Sequence, residues 1–186
     1  MILLIGSDAY SPFRMDAIKD AVAKLDPAAG PVEIDAKWVY ALETNGEAFD
    51  PEELKRAATL LNAEGECGAA DFFVTPRRGT ISPWSTKATD IFRNCGLKSI
   101  KRVERGIRYI VNGGIRPVAK SAGELYEDGS EDAEQEAVFT APKWVSAIYD
   151  KMTEGVYANL DGFFDVADPR PGRTYDVLAK GVEAIR

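Results

Sequence analysis

The sequence has no histidine among its 186 residues. Histidine is the usual general base of Ser/His and Cys/His nucleophile systems, and it is the commonest side-chain ligand of transition metals. Its absence therefore excludes those nucleophile systems, and most transition-metal sites, within this chain. We expect no metal site and no independent acid–base catalysis here.

Cysteine is scarce too, with Cys67 and Cys95 as its two occurrences. Their spacing fits no metal-binding motif, and they can form a disulfide only if the fold brings them together. No secretory signal is recognised in the sequence. Cys95 falls at an apolar position of a predicted helix, and we interpret it as a reduced core residue.

Long apolar runs and an excess of positive charge are also missing. No run approaches the ~20 apolar residues of a membrane-spanning helix, so we predict no membrane span. A net charge of −7 and a pI near 4.8 argue against nucleic acid as a partner. The charge is uneven, because Glu124–Glu136 has acids and no base whereas Lys87–Arg108 is basic. The basic stretch suits an anionic ligand or an acidic protein surface; the alternative is two solvated faces.

The chain does contain a regular order of strands and helices, which begins with a βαβα series. Ile2–Ile5 is a short apolar strand, and Ser11-Pro12 places an N-cap and a proline at the start of a helix. Val32–Leu42 alternates in part between apolar and polar residues, which predicts a long half-buried strand or a hairpin. Asp50-Pro51 begins a second helix, with acids in its first turn, and 63–69 is expected to be the loop that follows it.

A second series of the same order follows, although the two do not match residue by residue. It consists of a strand at 70–75, a helix at 84–95, a strand at 100–111, a helix that begins near Thr140 with Val145, Ile148 and Tyr149 inward, and a strand at 155–160.

Together the two series predict an α+β fold. We expect two ferredoxin-like βαβα halves, 1–66 and 67–160, that pack as a pseudo-dimer with mostly antiparallel sheets. Residues 161–186 are predicted to be a linker and the start of a helical linker region, since proline and glycine are dense there. The last helical pattern reaches Arg186 without a C-cap, which indicates either a longer parent chain or a frayed end.

One stretch, Thr75–Ile91, carries more prolines, cations and hydroxyls than a turn between a strand and a helix requires. A phosphate site at the helix start is one interpretation, but Pro76 and Pro83 remove donors that such loops need. A purely structural interpretation makes Ser82 the N-cap and the cations solvated surface charges. Trp84 close to Arg77 favours a third interpretation, a surface that docks on another protein. Three arginines of the adjacent strand are expected to extend this surface, with a solvated strand face as the alternative: Arg102, Arg105 and Arg108.

The same stretch resembles a known family. Thr75–Ile91, Asn94–Leu97 and Arg102–Gly106 are similar to the N-terminal region of the large, single-chain phosphoribosylformylglycinamidine synthase, the glutamine-dependent FGAR amidotransferase of purine biosynthesis. Weaker similarity covers 152–154 and 177–184. Arg78 stands where bacterial members usually have Pro, and 118–137 looks like an insertion relative to them.

The resemblance implies an N-terminal domain similar to a dimer of the small subunit in the split form of that enzyme. In the family this domain bridges the synthetase and glutaminase domains, which are its expected partners. The resemblance further implies a cytoplasmic ligase whose ATP and Mg²⁺ lie outside this chain, and inactivity of this chain alone. By its match to the motif, the residues that face the synthetase active site and the ammonia route are expected to be Arg77, Thr80, Ser82, Trp84, Ser85, Lys87, Asp90 and, on the adjoining strand, Arg105.

Two other functions stay open at this point. The chain could be a stand-alone binder of a small anionic phosphate ligand, through Arg77, Lys87 and Arg105. It could also be a structural domain that forms homo-oligomers through its sheet edges. Glu104, on the strand beside the motif, is interpreted as a group that orients Arg77 or Lys87.

Overall fold

A computed structural model describes residues 1–27, 32–46, 48–112, 118–119, 139–140, 143–165 and 181. Six strands form one antiparallel sheet: β1 Ile2–Asp8, β2 Glu33–Thr44, β3 Gly65–Glu66, β4 Phe72–Pro76, β5 Ile100–Asn112 and β8 Glu154–Tyr157. The strands β6 Val118–Ala119 and β7 Phe139–Thr140 form a separate antiparallel pair. The α+β class with ferredoxin-like halves is thereby confirmed.

Three α-helices accompany the sheet within the described ranges: α1 Pro12–Leu25, α2 Pro51–Leu61 and α3 Pro83–Asn94. Each begins with a proline at its first position, after a side chain that accepts a backbone N–H of the first turn. These N-caps are Ser11, Asp50 and Ser82, as the sequence predicts. Two of the three helix starts share a Ser-Pro-aromatic motif, Ser11–Phe13 and Ser82–Trp84.

The strand order, β3-β1-β2-β5-β4-β8, is symmetric about its centre. The two longest strands, β2 and β5, lie there and pair in register from Glu33↔Asn112 to Glu43↔Arg102. Because β2 belongs to the first series and β5 to the second, this pairing merges the two halves into one sheet. The expected pseudo-dimer therefore has a continuous sheet across its centre.

The core lies in two clusters on the helical face of the sheet and a third cluster on the other face. Ile18 and Val22 of α1 pack with Trp144, from a short 3₁₀ helix at Lys143–Ala147, over one end of the central pair. Residues of α2 and α3 pack together over the other end, and Trp38 contacts both clusters. The opposite face is covered by Phe73, Leu160 and Phe163 among others. Each helix pair thus combines one element from each half.

Hydrogen bonds also join the halves. Tyr10 and Tyr109 share a hydrogen bond of 2.7 Å between their hydroxyls, and burial raises the pKa of both phenols. The Glu53 carboxylate accepts from the Ser99 N–H at 2.7 Å and from its hydroxyl at 2.6 Å. The hydrogen bond from the Ser99 side chain is the main reason that the pKa of Glu53 is lowered.

Three sequence expectations differ from the structure. Cys95 is exposed, and not a core residue, because α3 ends at Asn94 and Cys95 occupies the C-cap position; both cysteines are free thiols. The loop expected at 63–69 contains β3, a third strand for the first half. The helix expected after Thr140 is the 3₁₀ helix, although Val145 and Ile148 are buried as predicted.

Other expectations concern residues that the structure does not describe, or a domain division that stays untested. The linker from 166 onwards, including its predicted helix, and most of the acidic segment 118–137 lie outside the described residues. The proposed division of the chain at 66 and 160 stays a prediction. Among the described helices, none has both the length and the apolar character needed to cross a bilayer.

A close approach of β4 to β5 provides the first testable prediction. A Cβ at Gly106 would lie 2.5 Å from Thr75 Cγ2 and 2.8 Å from the Val74 carbonyl oxygen. We expect Gly106→Ala to lower the free energy of unfolding by about 2 kcal/mol, because a backbone atom must move. Urea unfolding followed by circular dichroism measures the change.

The matched control is Gly68→Ala, since no atom lies within 4 Å of the added Cβ there. It should shift the free energy by no more than about 0.5 kcal/mol. Equal effects of the two substitutions would show that the contact between β4 and β5 is not tight.

Candidate functional site

The loop that links β4 to α3, residues 77–82, is held by its own hydrogen bonds. The Thr80 N–H and hydroxyl both reach the Arg77 carbonyl, at 3.1 and 2.6 Å, and Gly79 between them has a φ of 76°. Such a positive φ favours glycine. The Arg77 N–H donates to the Thr153 carbonyl at 3.2 Å, and its guanidinium donates to the Lys151 carbonyl. The loop is therefore anchored at its start to the turn before β8.

A buried carboxylate anchors the other end of the loop. Glu104, only 1% exposed, accepts from the Ser82 hydroxyl at 2.6 Å and from the Ser82 N–H at 3.3 Å. It also accepts from Arg102 at 2.9 Å and from the Arg105 N–H at 3.0 Å. The same Ser82 hydroxyl oxygen caps α3 by accepting the Ser85 N–H at 3.0 Å. Glu104 thus positions Ser82 and Arg102, and not Arg77 or Lys87 as expected.

Arg102 completes this network. It donates to the Ser85 hydroxyl oxygen at 3.2 Å and to the Thr80 carbonyl at 2.7 Å, and it lies over the Phe164 ring at 5.1 Å. Ser85 is fully buried and donates its hydroxyl proton to the Val103 carbonyl at 2.6 Å. The loop and the first turn of α3 are consequently fixed to β5 by charge-assisted hydrogen bonds.

Aromatic rings and Arg105 form a second group, at the centre of the sheet. The Arg105 guanidinium lies 4.2 Å from the centroid of the Trp38 ring and 5.0 Å from that of Trp84. Trp84 also stacks on Tyr40, with ring centroids 5.9 Å apart. We call Trp38, Tyr40, Trp84 and Arg105 the aromatic clamp. Burial raises the pKa of Tyr40, and the Arg105 charge opposes that rise.

The structure brings the predicted residues together in part. Thr80, Ser82 and Ser85 meet in the Glu104 network, Trp84 and Arg105 meet in the clamp, and Arg77 contacts the 150–153 turn. Lys87 and Asp90 are exposed on α3, and Asp90 pairs with Arg93 at 3.5 Å. Whether these residues face another domain stays a prediction.

Arg108, expected to extend the same surface, does not. It is buried and donates to Asp35 and to the Ala69 carbonyl. The sequence reasoning also missed Trp38 and Tyr40 as site residues. Their alternation on β2 predicted inward positions, but it contained no signal for their contact with Arg105.

A groove of about 360 Å³ lies beside the loop. It runs between α3 and the start of β5, and Ile81 and Phe164 line it together with Arg93, Lys101 and Arg102. Ile81 is 64% exposed, which is high for an isoleucine in an ordered loop. Apolar and cationic groups, together with the carboxylates of Glu43 and Asp90, therefore surround an open recess next to the motif.

The hydroxyl groups at the start of α3 are engaged in hydrogen bonds within the domain. Ser82 donates its hydroxyl proton to the Glu104 carboxylate at 2.6 Å, and Ser85 donates its own to the Val103 carbonyl at 2.6 Å. Within the described part of the chain, no group of three or more Cys, Asp or Glu side chains is arranged to hold a metal ion.

Fold and site together define a class of protein: a pseudo-symmetric α+β domain that presents one fixed, cation-bearing loop at the start of a helix. Comparison with protein families identifies the class more closely. The family described as "Formylglycinamide ribonucleotide amidotransferase N-terminal" matches residues 37–164, more than half of the chain. The chain belongs to this family, and it is an N-terminal domain of FGAR amidotransferase of purine biosynthesis. The match includes the motif loop, Glu104 and the aromatic clamp.

The buried ion pair of Glu104 and Arg102 generates the second prediction. Glu104→Gln should lower the free energy of unfolding by about 3 kcal/mol, because Arg102 would keep its charge in a site where its side chain is 15% exposed. Chemical unfolding at neutral pH measures the loss.

Glu43→Gln is the matched control. Glu43 of β2 forms an ion pair with Lys101 of β5 at 2.6 Å, but the Lys101 side chain is 58% exposed. A surface pair contributes less than about 1 kcal/mol. A Glu104→Gln loss no larger than that of the control would contradict a structural role for the buried carboxylate.

Proposed function

We propose that this domain couples the synthetase and glutaminase domains of FGAR amidotransferase during ammonia transfer, and that it converts no substrate by itself. Transfer of ammonia between two active sites requires a path that is closed to water, and coupling requires an element that contacts both sites. A stiff loop that docks on a neighbouring domain meets both requirements at a small cost in conformational entropy.

The observation that carries the proposal is that the inward side chains of the motif are hydrogen-bonded within the domain, whereas its outward side chains are exposed. Its inward polar groups are both bonded to β5: Ser82 donates to the Glu104 side chain, and Ser85 donates to the Val103 carbonyl. Its outward side chains, Arg77, Ile81 and Lys87, are exposed. A loop whose backbone is held from within, while cations and an isoleucine face outward, has the composition of a contact surface.

The proposal extends to the rest of the enzyme. ATP and Mg²⁺ would be bound by the synthetase domain, and glutamine hydrolysis would take place in the glutaminase domain. The place of action would be the cytoplasm. The residues proposed to contact those domains are Arg77, Thr80, Trp84, Lys87, Asp90 and Arg105, while Ser82 and the buried Ser85 would hold the loop in place from within.

The test uses the assembled amidotransferase. Arg77→Ala and Ile81→Ser should reduce FGAM formed per glutamine hydrolysed by about tenfold, on the scale of the 1–2 kcal/mol that a truncated contact residue costs. Parallel assays of glutamate release and FGAM formation give this ratio. Trp84→Ala should act in the same direction, while circular dichroism shows that the domain stays folded.

Arg56→Ala, an exposed arginine on α2, serves as the control and should leave the ratio unchanged. Unimpaired coupling in the Arg77 and Ile81 variants would reject the proposal. So would FGAM formation or glutamine hydrolysis by a pure preparation of this chain alone.

A further inference from the structure

Arg105 differs from the two other arginines of β5 that lie near it. Arg102 donates to Glu104 and Arg108 donates to Asp35, so each has a carboxylate partner. The Arg105 guanidinium donates to no acceptor among the described residues, and its contacts are the faces of Trp38 and Trp84. A guanidinium has five N–H donors and cannot be deprotonated in a protein. The guanidinium N–H groups of Arg105 are therefore available to donate to a binding partner.

The clamp fixes the plane of these donors. Arg105 pairs directly with Tyr40 across β2 and β5, and its guanidinium carbon lies over both indoles, 4.2 Å from the Trp38 ring centroid and 5.0 Å from that of Trp84. Stacking restricts the rotamers of a long side chain before any ligand binds, so less freedom is lost on binding. Partial exposure of Trp38, Trp84 and Arg105 leaves the group accessible to an incoming side chain.

The geometry favours a carboxylate over a phosphate. Sites that bind phosphate usually add backbone N–H groups from a helix start to the cationic side chain. At α3 few of those groups remain, because Pro83 has no N–H, the Ser85 N–H donates to the Ser82 hydroxyl oxygen at 3.0 Å, and the Thr86 N–H donates to the Ser82 carbonyl at 3.1 Å. A fixed, planar fork of donors matches the two oxygens of a carboxylate.

The walls of the clamp indicate what surrounds that carboxylate. Trp38 and Trp84, both partly exposed, offer apolar ring surface next to the charged group, and the buried Tyr40 supports Trp84 from behind by stacking on it. Trp, Tyr and Arg are the three residues most enriched at the energetic centres of protein interfaces. A ligand with a carboxylate flanked by apolar side chains fits these walls better than a free carboxylic acid does.

We propose that the aromatic clamp binds a glutamate or aspartate side chain, flanked by apolar residues, from a neighbouring domain of the amidotransferase. The inference rests on the proposed function, because it names the group through which a coupled domain is held. The carboxylate lies edge-on to Arg105 and its apolar neighbours lie against Trp38 and Trp84.

The experiment titrates this chain with the peptide acetyl-Leu-Glu-Leu-amide and follows tryptophan fluorescence. Trp144 is fully buried and provides a constant background, so the change reports on Trp38 and Trp84. We expect saturable binding in the millimolar range. Acetyl-Leu-Gln-Leu-amide should bind at least about tenfold more weakly, because a hydrogen bond to a charged group is lost. Inorganic phosphate should not compete.

Arg105→Lys keeps the charge but loses the fork, and it should weaken binding of the glutamate peptide by about tenfold. Arg56→Gln, on α2, should leave it unchanged within about twofold, as expected of a distant surface residue. Equal affinity for both peptides, full binding by Arg105→Lys, or displacement by phosphate would each overturn the inference.

The peptide comparison is made on the unaltered chain, so it remains decisive if Arg105→Lys fails to fold. Binding without any coupling defect in the Arg77 and Ile81 variants would reject the coupling function and keep the carboxylate site. The reverse result would keep the coupling function and reject the site.

Discussion

The pairing of β2 with β5 is the constraint on which the rest of the structure depends. It runs over more than ten residues of each strand and is the longest ladder in the sheet. The helix pairs above it each combine both halves, so neither half could bury its apolar face alone. The end of the functional loop and the start of α3 take their position from β5, which supplies Arg102, Glu104 and Arg105.

A buried charge is the second constraint. Glu104 is removed from water, and such a carboxylate is tolerated only when its oxygens have donors. It receives four, two of them from Ser82. The hydrogen bonds that replace the hydration of Glu104 also fix the end of the loop at residues 77–82. The sequence feature that looked like an excess of polar residues is therefore largely internal support.

The local features of the fold could be predicted from the sequence, and the long-range ones could not. The caps Ser11, Asp50 and Ser82 were predicted because each depends on residues one to three positions away. Cys95 was misplaced because helix ends vary by a residue, and one residue turns a side chain from the core to solvent. The contact of Arg105 with Trp38 depends on the register of two strands far apart in the chain, which no local pattern specifies. The partners of Glu104 were missed for the same reason.

The two Ser-Pro-aromatic helix starts end in different environments. Phe13 is 85% exposed, whereas Trp84 lies in the clamp and is partly buried. The charged loop, the clamp and the Glu104 network likewise occur beside the second helix start. A dimer of identical subunits has two equal faces and must accept a ligand in either of two orientations. The two halves of this single chain have different side chains at equivalent positions. The domain is therefore asymmetric, and a neighbouring domain can bind it in only one orientation.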